Sequence, residues 1–103
     1  MNKNDCPLHY TMRLIGTKWK PLILFHLLEG PLRSGILQKQ VLEISNKMFT
    51  QSVRELEKDG LLSRKIFPVV PPKVEYKLTA KGLTLETILR QMDAWGVTND
   101  THK

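Results

Sequence analysis

The stretch that decides the fold is ISNKMFTQSVRELEKDGLLSRKIFPVVPPKVEYKLTAKG, which runs from Ile44 to Gly82. Apolar residues recur at helical spacing in its first part, and Asp59-Gly60 ends that helix. Two runs of strand-forming residues follow, Leu61 to Phe67 and Val74 to Leu78, and the prolines between them cannot donate to a ladder. The segment therefore predicts a helix followed by a β-hairpin with a proline-rich tip.

The predicted helix has two different faces. Ser45 is placed to cap its first turn, and Ile44 and Phe49 have the spacing of a hydrophobic staple. One stripe at helical spacing is apolar and consists of Phe49, Val53 and Leu56. A second stripe at the same spacing is polar and basic and consists of Lys47, Thr50, Gln51 and Arg54.

Three further helices are predicted before this stretch. The first begins after Pro7, because proline suits a first helical turn, and runs to about Gly16. The second is capped by Thr17 and ends at Gly30-Pro31, since glycine accepts a left-handed cap and proline cannot continue a helix. The third extends over 34–42, and its predicted buried side consists of Ile36, Leu37 and Val41.

A last, long helix is predicted after the hairpin. Thr79 is placed to cap it, and beyond Gly96 the chain is polar and is expected to fray. Its apolar residues keep helical spacing and are Leu85, Ile88, Leu89, Met92 and Trp95. The predicted fold is mainly α with a small β-hairpin wing, a winged helix-turn-helix with helical dimerisation elements at both ends.

Length and composition predict one soluble domain. The 103 residues allow a single domain over 1–103 with one modest core, and we expect its ordered part to cover about 6–96. Hydrophobic residues make up 41% of the chain, no apolar stretch is long enough to cross a membrane, and no secretory signal is evident. A cytoplasmic location is the expectation, and the single cysteine fits a reducing compartment.

The charge balance favours a polyanionic partner. The formal net charge is +6, and between Arg33 and Lys81 ten basic residues stand against five acidic ones. Such a surface favours nucleic acid, although a generic basic surface is the alternative interpretation. In a winged helix-turn-helix, the expected partner is double-stranded DNA.

The chain resembles the HxlR-type transcriptional regulators, a branch of the MarR-like winged-helix proteins. The resemblance covers about 6–95, and its motifs are specific when taken together. They are Cys6-Pro7, IGTKW at 15–19, GPLR at 30–33, the IS-K-T-Q-RELE pattern at 44–57, DGLLSR at 59–64, PPKVEYKLTAKG at 71–82, and Trp95.

The resemblance implies a homodimer on a palindromic operator. The first and last helices pair across a two-fold axis, and the two fourth helices enter successive major grooves. The resemblance also implies that the protein regulates nearby genes, and repression is the expected effect. Such regulation often responds to electrophiles, oxidants or small metabolites. The dimer interface is expected to include Leu8, Met12, Leu85, Ile88, Leu89, Met92 and Trp95.

Two residues depart from the family pattern. Ser34 stands where family members usually carry phenylalanine, and Ile36 stands where they usually carry glutamate. We interpret Ser34 as an N-cap of the third helix, and Ile36 as the loss of a charge near the DNA side.

The expected DNA contacts lie on three elements. Gln, Asn and Arg side chains can hydrogen-bond base edges, whereas hydroxyls and scattered cations suit phosphates. An ordinary solvated helix face is the competing interpretation. The candidates are Ser45, Asn46, Lys47, Thr50, Gln51 and Arg54 on the fourth helix, Arg33 and Lys39 at the third, and Arg64, Lys65 and Lys73 on the wing.

Cys6 is the candidate sensor. A Cys-Pro pair at a helix start places sulfur near the positive end of the helix dipole, which can favour thiolate. The matching family cysteine often senses electrophiles or oxidants, which is an implication of the resemblance. An inert, half-buried residue is the alternative. With no second cysteine, oxidation must give a Cys6–Cys6′ bond between protomers, a mixed disulfide or an S-adduct.

Catalysis and metal binding have little support in the sequence. His9, His26 and His102 show no ligand spacing, and neither a nucleophile elbow nor a phosphate-binding glycine loop is evident. We therefore expect no enzyme activity, metal or cofactor. The rival function is a winged-helix module that binds protein partners without reading DNA sequence, and a small enzyme is a weaker third possibility.

Overall fold

The computed structural model describes residues 6–101, and this part of the chain is mainly helical with one small antiparallel sheet. No helix in it is long and apolar enough to cross a membrane. Its elements in chain order are α1 (Pro7–Ile15), α2 (Lys20–His26), β1 (Leu32–Arg33), α3 (Ser34–Gln40), α4 (Asn46–Lys58), β2 (Leu62–Phe67), β3 (Lys73–Leu78), α5 (Ala80–Leu83) and α6 (Glu86–Asn99).

The N-terminus of α4 is built as the sequence predicts. The Ser45 hydroxyl accepts a hydrogen bond from the Met48 backbone N–H at 3.1 Å, which satisfies one free amide of the first turn. Ile44 and Phe49, the predicted staple, are both buried. At the other end Gly60 has a φ of 80°, the left-handed conformation that ends the helix after Asp59.

The packing stripe of α4 belongs to the core. Phe49, Val53 and Leu56 are all buried, and the Phe49 ring meets the Tyr76 ring of β3 edge to face with centroids 6.3 Å apart. The core also draws on α2, α3 and the strands. Its other buried apolar residues include Ile23, Leu24, Leu27, Leu37, Val41, Leu61, Leu62 and Leu78.

The sheet has a third strand that the sequence does not predict. Its order is β1-β3-β2, and the two-residue β1 pairs antiparallel with β3, with Leu32 opposite Tyr76 and Arg33 opposite Glu75. Two residues are too few to carry a period-2 pattern, so this strand exists only through its pairing. β2 and β3 form the predicted hairpin, with Phe67 opposite Lys73 across the proline-rich tip.

The start of α3 corrects two expectations. Ser34 is not the N-cap: the β1 pairing holds the chain extended through Arg33, which is the N-cap, and Ser34 is the first helical residue. Ile36 is not buried but 47% exposed, because Leu37 and Val41, one turn apart, are the residues that face the core.

The last helix is broken in two, which corrects the prediction of one long helix. Thr79 caps α5 as predicted, since its hydroxyl accepts from the Gly82 backbone N–H at 3.0 Å. The chain then turns at Thr84 and Leu85 before α6 begins. A Cβ at Gly82 would lie 2.3 Å from the Leu61 carbonyl oxygen, so only glycine allows α5 to approach the start of the hairpin this closely.

The C-terminal helix α6 extends further than predicted. It continues through Gly96 to Asn99, whose side-chain amide donates to the Trp95 carbonyl at 2.8 Å. Arg90 ties α6 to the turn after α2, since its guanidinium bonds Glu29 and Glu86 at 2.8 Å each. The helix is therefore anchored to the rest of the domain on one side.

Candidate nucleic-acid interface

The polar stripe of α4 lies on the surface and forms one open groove. The capped start of the helix and the burial of Phe49, Val53 and Leu56 fix which face remains outside. Ser45 stands exposed at the helix start. The groove is lined by Asn46, Lys47, Thr50, Gln51, Arg54 and Glu55. The structure thus brings five of the six predicted residues, all but Ser45, together on a single face that carries donors, acceptors and two cations.

Two amide side chains of this face are held by hydrogen bonds. The Gln38 side-chain amide on α3 donates to the Asn46 side-chain oxygen at the start of α4. Five residues later, Gln51 Nε2 donates to Glu55 Oε2 at 3.1 Å. These hydrogen bonds give both amides a defined orientation on the surface.

A buried lysine lies behind the polar face, and the sequence prediction missed its role. Lys20 of α2 is only 6% exposed, and its Nζ lies 2.6 Å from Glu55 Oε1 on α4. This ammonium, followed by the Gln51 amide, holds the pKa of Glu55 below its ordinary value. The signal was present in the sequence, because Lys20, Ile23, Leu24 and Leu27 fall on one helical stripe.

A second, basic groove lies between the start of α3 and the tip of the wing. It is lined by Arg33, Lys39 and Lys73, together with the exposed Ile36 and two prolines of the wing loop, Pro71 and Pro72. Three of the predicted phosphate contacts, from β1, α3 and β3, thus come together although Lys73 is distant from the other two in the sequence. The groove has the charge that a phosphate backbone requires.

The other two predicted wing contacts, Arg64 and Lys65, lie on opposite faces of β2. Arg64 stands opposite Tyr76 on the side that faces the domain, and its Nε lies 3.5 Å from the Glu57 carboxylate of α4. Lys65 is on the outer face, opposite Glu75, with its Nζ 4.8 Å from the centre of the Phe67 ring. Both are exposed, but an acidic neighbour stands beside each of them.

Burial raises the pKa of Tyr76, which the core covers between β1 and β2. The groups of the wing that can attract a polyanion are therefore its exposed lysines and arginine.

Cys6 is exposed and free, and it is the N-cap residue of α1. Its side chain makes no capping hydrogen bond. The thiol is therefore accessible to a small reagent or to a second thiol.

The terminal helices carry exposed apolar side chains. Leu8 and Met12 of α1 and Ile88, Met92 and Trp95 of α6 are exposed, and Trp95 most of all at 70%. Leu85 is half-buried. Leu89 is 3% exposed because it packs in the domain's own core, so it offers almost no surface to a second chain.

Within residues 6–101, no cluster of three or more His, Cys, Asp or Glu side chains could hold a metal ion. His102 lies outside the described residues.

The chain is similar to known regulators over nearly its whole length. The model of the HxlR-like helix-turn-helix family matches residues 14–103. YybR, an uncharacterised HTH-type transcriptional regulator of Bacillus subtilis strain 168, is 43% identical over 98 residues, which are 95% of this chain and 78% of YybR. The structure of the redox regulator HypR in its oxidised form is 42% identical with a TM-score of 0.87, over 91% of this chain and 97% of HypR. The reduced form of the transcriptional regulator YodB from B. subtilis is 32% identical with a TM-score of 0.77, over 96% and 98%.

Proposed function

This chain belongs to the HxlR-like helix-turn-helix family of transcriptional regulators, and we propose that it represses transcription by binding a palindromic DNA operator as a homodimer. The observation that carries the proposal is the exposed polar groove of α4, with Gln51 and Arg54 on the same face. Gln suits adenine and Arg suits guanine in the major groove. Such a regulator acts on the chromosome, so we infer a cytoplasmic location and a binding activity without a catalytic step.

The two grooves have different proposed roles in DNA recognition. The α4 groove offers base-reading side chains, while Arg33, Lys39 and Lys73 in the second groove offer charge to phosphates. The hydrogen bond between Gln38 and Asn46 ties α3 to α4. We therefore assign sequence preference to α4 and salt-dependent affinity to the groove between α3 and the wing.

Gel-shift titration of two α4 variants tests the proposal. Gln51→Ala and Arg54→Ala should each weaken operator binding by about 1–3 kcal/mol, because each removes one base contact. Gln40→Ala and Lys58→Ala are the matched controls, since both residues are exposed and lie outside the α4 groove. Unchanged operator affinity in both Gln51→Ala and Arg54→Ala would reject the assignment.

Cys6 is proposed as an oxidant or electrophile sensor. Two features support this: the thiol is exposed at the start of α1, and similar solved structures include a regulator described as a redox regulator. With diamide as oxidant, two Cys6 thiols would transfer two protons and two electrons to its N=N bond and form one S–S bond between protomers. An electrophile would instead add to a single thiolate.

The sensor proposal is tested by repeating the operator titration after diamide or quinone treatment. Wild type should lose affinity, and for diamide a reductant should restore it, whereas Cys6→Ser should not respond. Equal responses from wild type and Cys6→Ser would reject the sensor role.

A protein-docking module is the second candidate function. Ile66, Val69 and Val70 on the wing are exposed, which is the observation that favours it. The α4 face is instead polar, whereas the centre of a protein-docking face is usually depleted in charge. Binding that showed no preference among DNA sequences would favour this second candidate.

A further inference from the structure

We propose that Lys20 and Glu55 are positioning residues that fix the orientation of the Gln51 side-chain amide and thereby set base preference. This inference rests on the proposed function, because it concerns how the α4 groove reads DNA. Neither residue is placed in contact with a base. Lys20 is buried in α2, and Glu55 carries a negative charge on a face that would meet a polyanion.

The geometry forms a chain of three side chains. The two oxygens of the Glu55 carboxylate have separate partners: Oε1 bonds Lys20 Nζ at 2.6 Å, and Oε2 accepts from Gln51 Nε2 at 3.1 Å. Lys20 is 6% exposed and projects from another helix, whereas the Glu55 side chain is 45% exposed, so the pair has one buried member and differs from an ion pair between two mobile surface side chains. The carboxylate is anchored by the domain itself.

This anchoring removes an ambiguity in the Gln51 side chain. A glutamine amide has two orientations that exchange its oxygen and nitrogen, and a carboxylate accepts only from the nitrogen. With one N–H on Glu55, Gln51 keeps its oxygen and its second N–H for another partner. That combination of acceptor and donor matches the major-groove edge of adenine.

Because Glu55 is negatively charged, two roles for it predict different effects of its removal on DNA binding. A carboxylate in a DNA-binding groove repels phosphates, so its removal would by electrostatics alone tighten binding to every sequence. If Glu55 positions Gln51, its removal must instead reduce discrimination between bases. The two effects are separated by measuring operator and unrelated DNA side by side.

The operator used here is the DNA sequence that the full chain enriches from a random library. The experiment measures the affinity of the full chain for this operator, for single-base variants of it, and for unrelated DNA. In Glu55→Ala, we expect the preference at the base pair read by Gln51 to fall about tenfold. Affinity for unrelated DNA should stay equal or rise. Glu57→Ala, which removes the same charge from the same helix, should leave that preference unchanged.

Two further variants keep the test valid if Glu55→Ala, with Lys20 left buried and unpaired, does not fold. Lys20→Met/Glu55→Leu removes both charges together and leaves no side-chain oxygen at position 55 that can accept from Gln51, whereas Lys20→Arg keeps a cation beside the carboxylate. We expect Lys20→Arg to retain the preference at that base pair and the Leu double variant to lose it, with thermal melts showing that both proteins are folded.

The outcomes separate this inference from the proposed function. If Gln51→Ala loses the preference while Glu55→Ala and the Leu double variant keep it, the positioning role is overturned and the proposed function stands. If the wild-type protein itself prefers no DNA sequence, the proposed function and the inference are both overturned.

Discussion

Individual side chains on α4 are oriented by hydrogen bonds within the domain. Asn46 accepts from Gln38, and Gln51 donates to Glu55. Immobilising one such side chain during binding costs roughly 0.5–1.5 kcal/mol, so prior hydrogen bonding reduces that cost. Ordered amides on a solvent-facing helix are therefore consistent with a surface that recognises a defined partner.

The Lys20–Glu55 pair predicts a pH dependence of stability. Because the pKa of Glu55 is lowered on folding, its contribution is fully present above the ordinary value of 4.5 and is lost as pH falls through the lowered pKa. The facing charges are Lys20 on α2 and Lys58 on α4 itself. The Glu55 side chain is 45% exposed, so solvent screens the pair, and Glu55→Gln should be less stable than wild type at pH 7 by only about 0.5 kcal/mol.

Urea unfolding of wild type and Glu55→Gln between pH 7 and pH 3 measures this effect. The stability difference between the two proteins should shrink below pH 4.5, once the wild-type carboxylate begins to protonate. A difference that stays constant over this range would contradict the assigned role of the pair.

Single residues differ in how far the sequence reveals them. The Ser45 cap and the two stripes of α4 are predicted correctly, because capping and helical periodicity are local properties. The exposure of Ile36 is not, since it depends on which neighbouring element covers that face of α3. The helical stripe that contains Lys20 indicates that this lysine is buried, but it does not indicate its partner. The Glu55 partner of Lys20 lies 35 positions away, beyond any local pattern.

Among whole elements, α4 and the β2–β3 hairpin are predicted almost to the residue, whereas two other features are not. β1 is defined by pairing with β3 and has only two residues. The break between α5 and α6 at Leu85 falls inside a continuous helical pattern, so tertiary packing decides it. The groove between α3 and the wing was likewise not predictable, because it joins Arg33 and Lys73 across the sheet.

The wing carries a testable electrostatic prediction. Lys73→Ala should weaken binding to all DNA sequences alike and should reduce the slope of log affinity against log salt by about 1, since one phosphate contact is lost. Lys58→Ala removes the same charge outside both grooves and serves as the control. A Lys73→Ala protein with the wild-type salt slope would count against a phosphate contact there.

At the scale of the whole molecule, α1 and α6 expose apolar residues, as protein interfaces do. Leu8, Met12, Met92 and Trp95 are all more than half exposed in the single chain. A domain with one recognition helix can read a palindrome only as a pair. We therefore propose that a second copy of the chain covers these faces.

Sedimentation tests the dimer at micromolar concentration. Wild type should sediment as a dimer, and Met92→Ala/Trp95→Ala should weaken association by about 2–4 kcal/mol, because aromatic anchors dominate such interfaces. Leu42→Ala, which alters an exposed leucine outside the terminal helices, should remain dimeric. A wild-type monomer under these conditions would contradict the dimer.

The most direct measurement of DNA reading by α4 is selection from a random DNA library with the purified protein, followed by competition titration. We expect an inverted repeat whose half-site centres lie about 10 base pairs apart or a multiple of that. It should bind at least about 10³-fold more tightly than unrelated DNA, and Gln51→Ala and Arg54→Ala should relax its sequence. Recovery of no enriched sequence, or of the same sequence by both variants at wild-type affinity, would contradict the central claim.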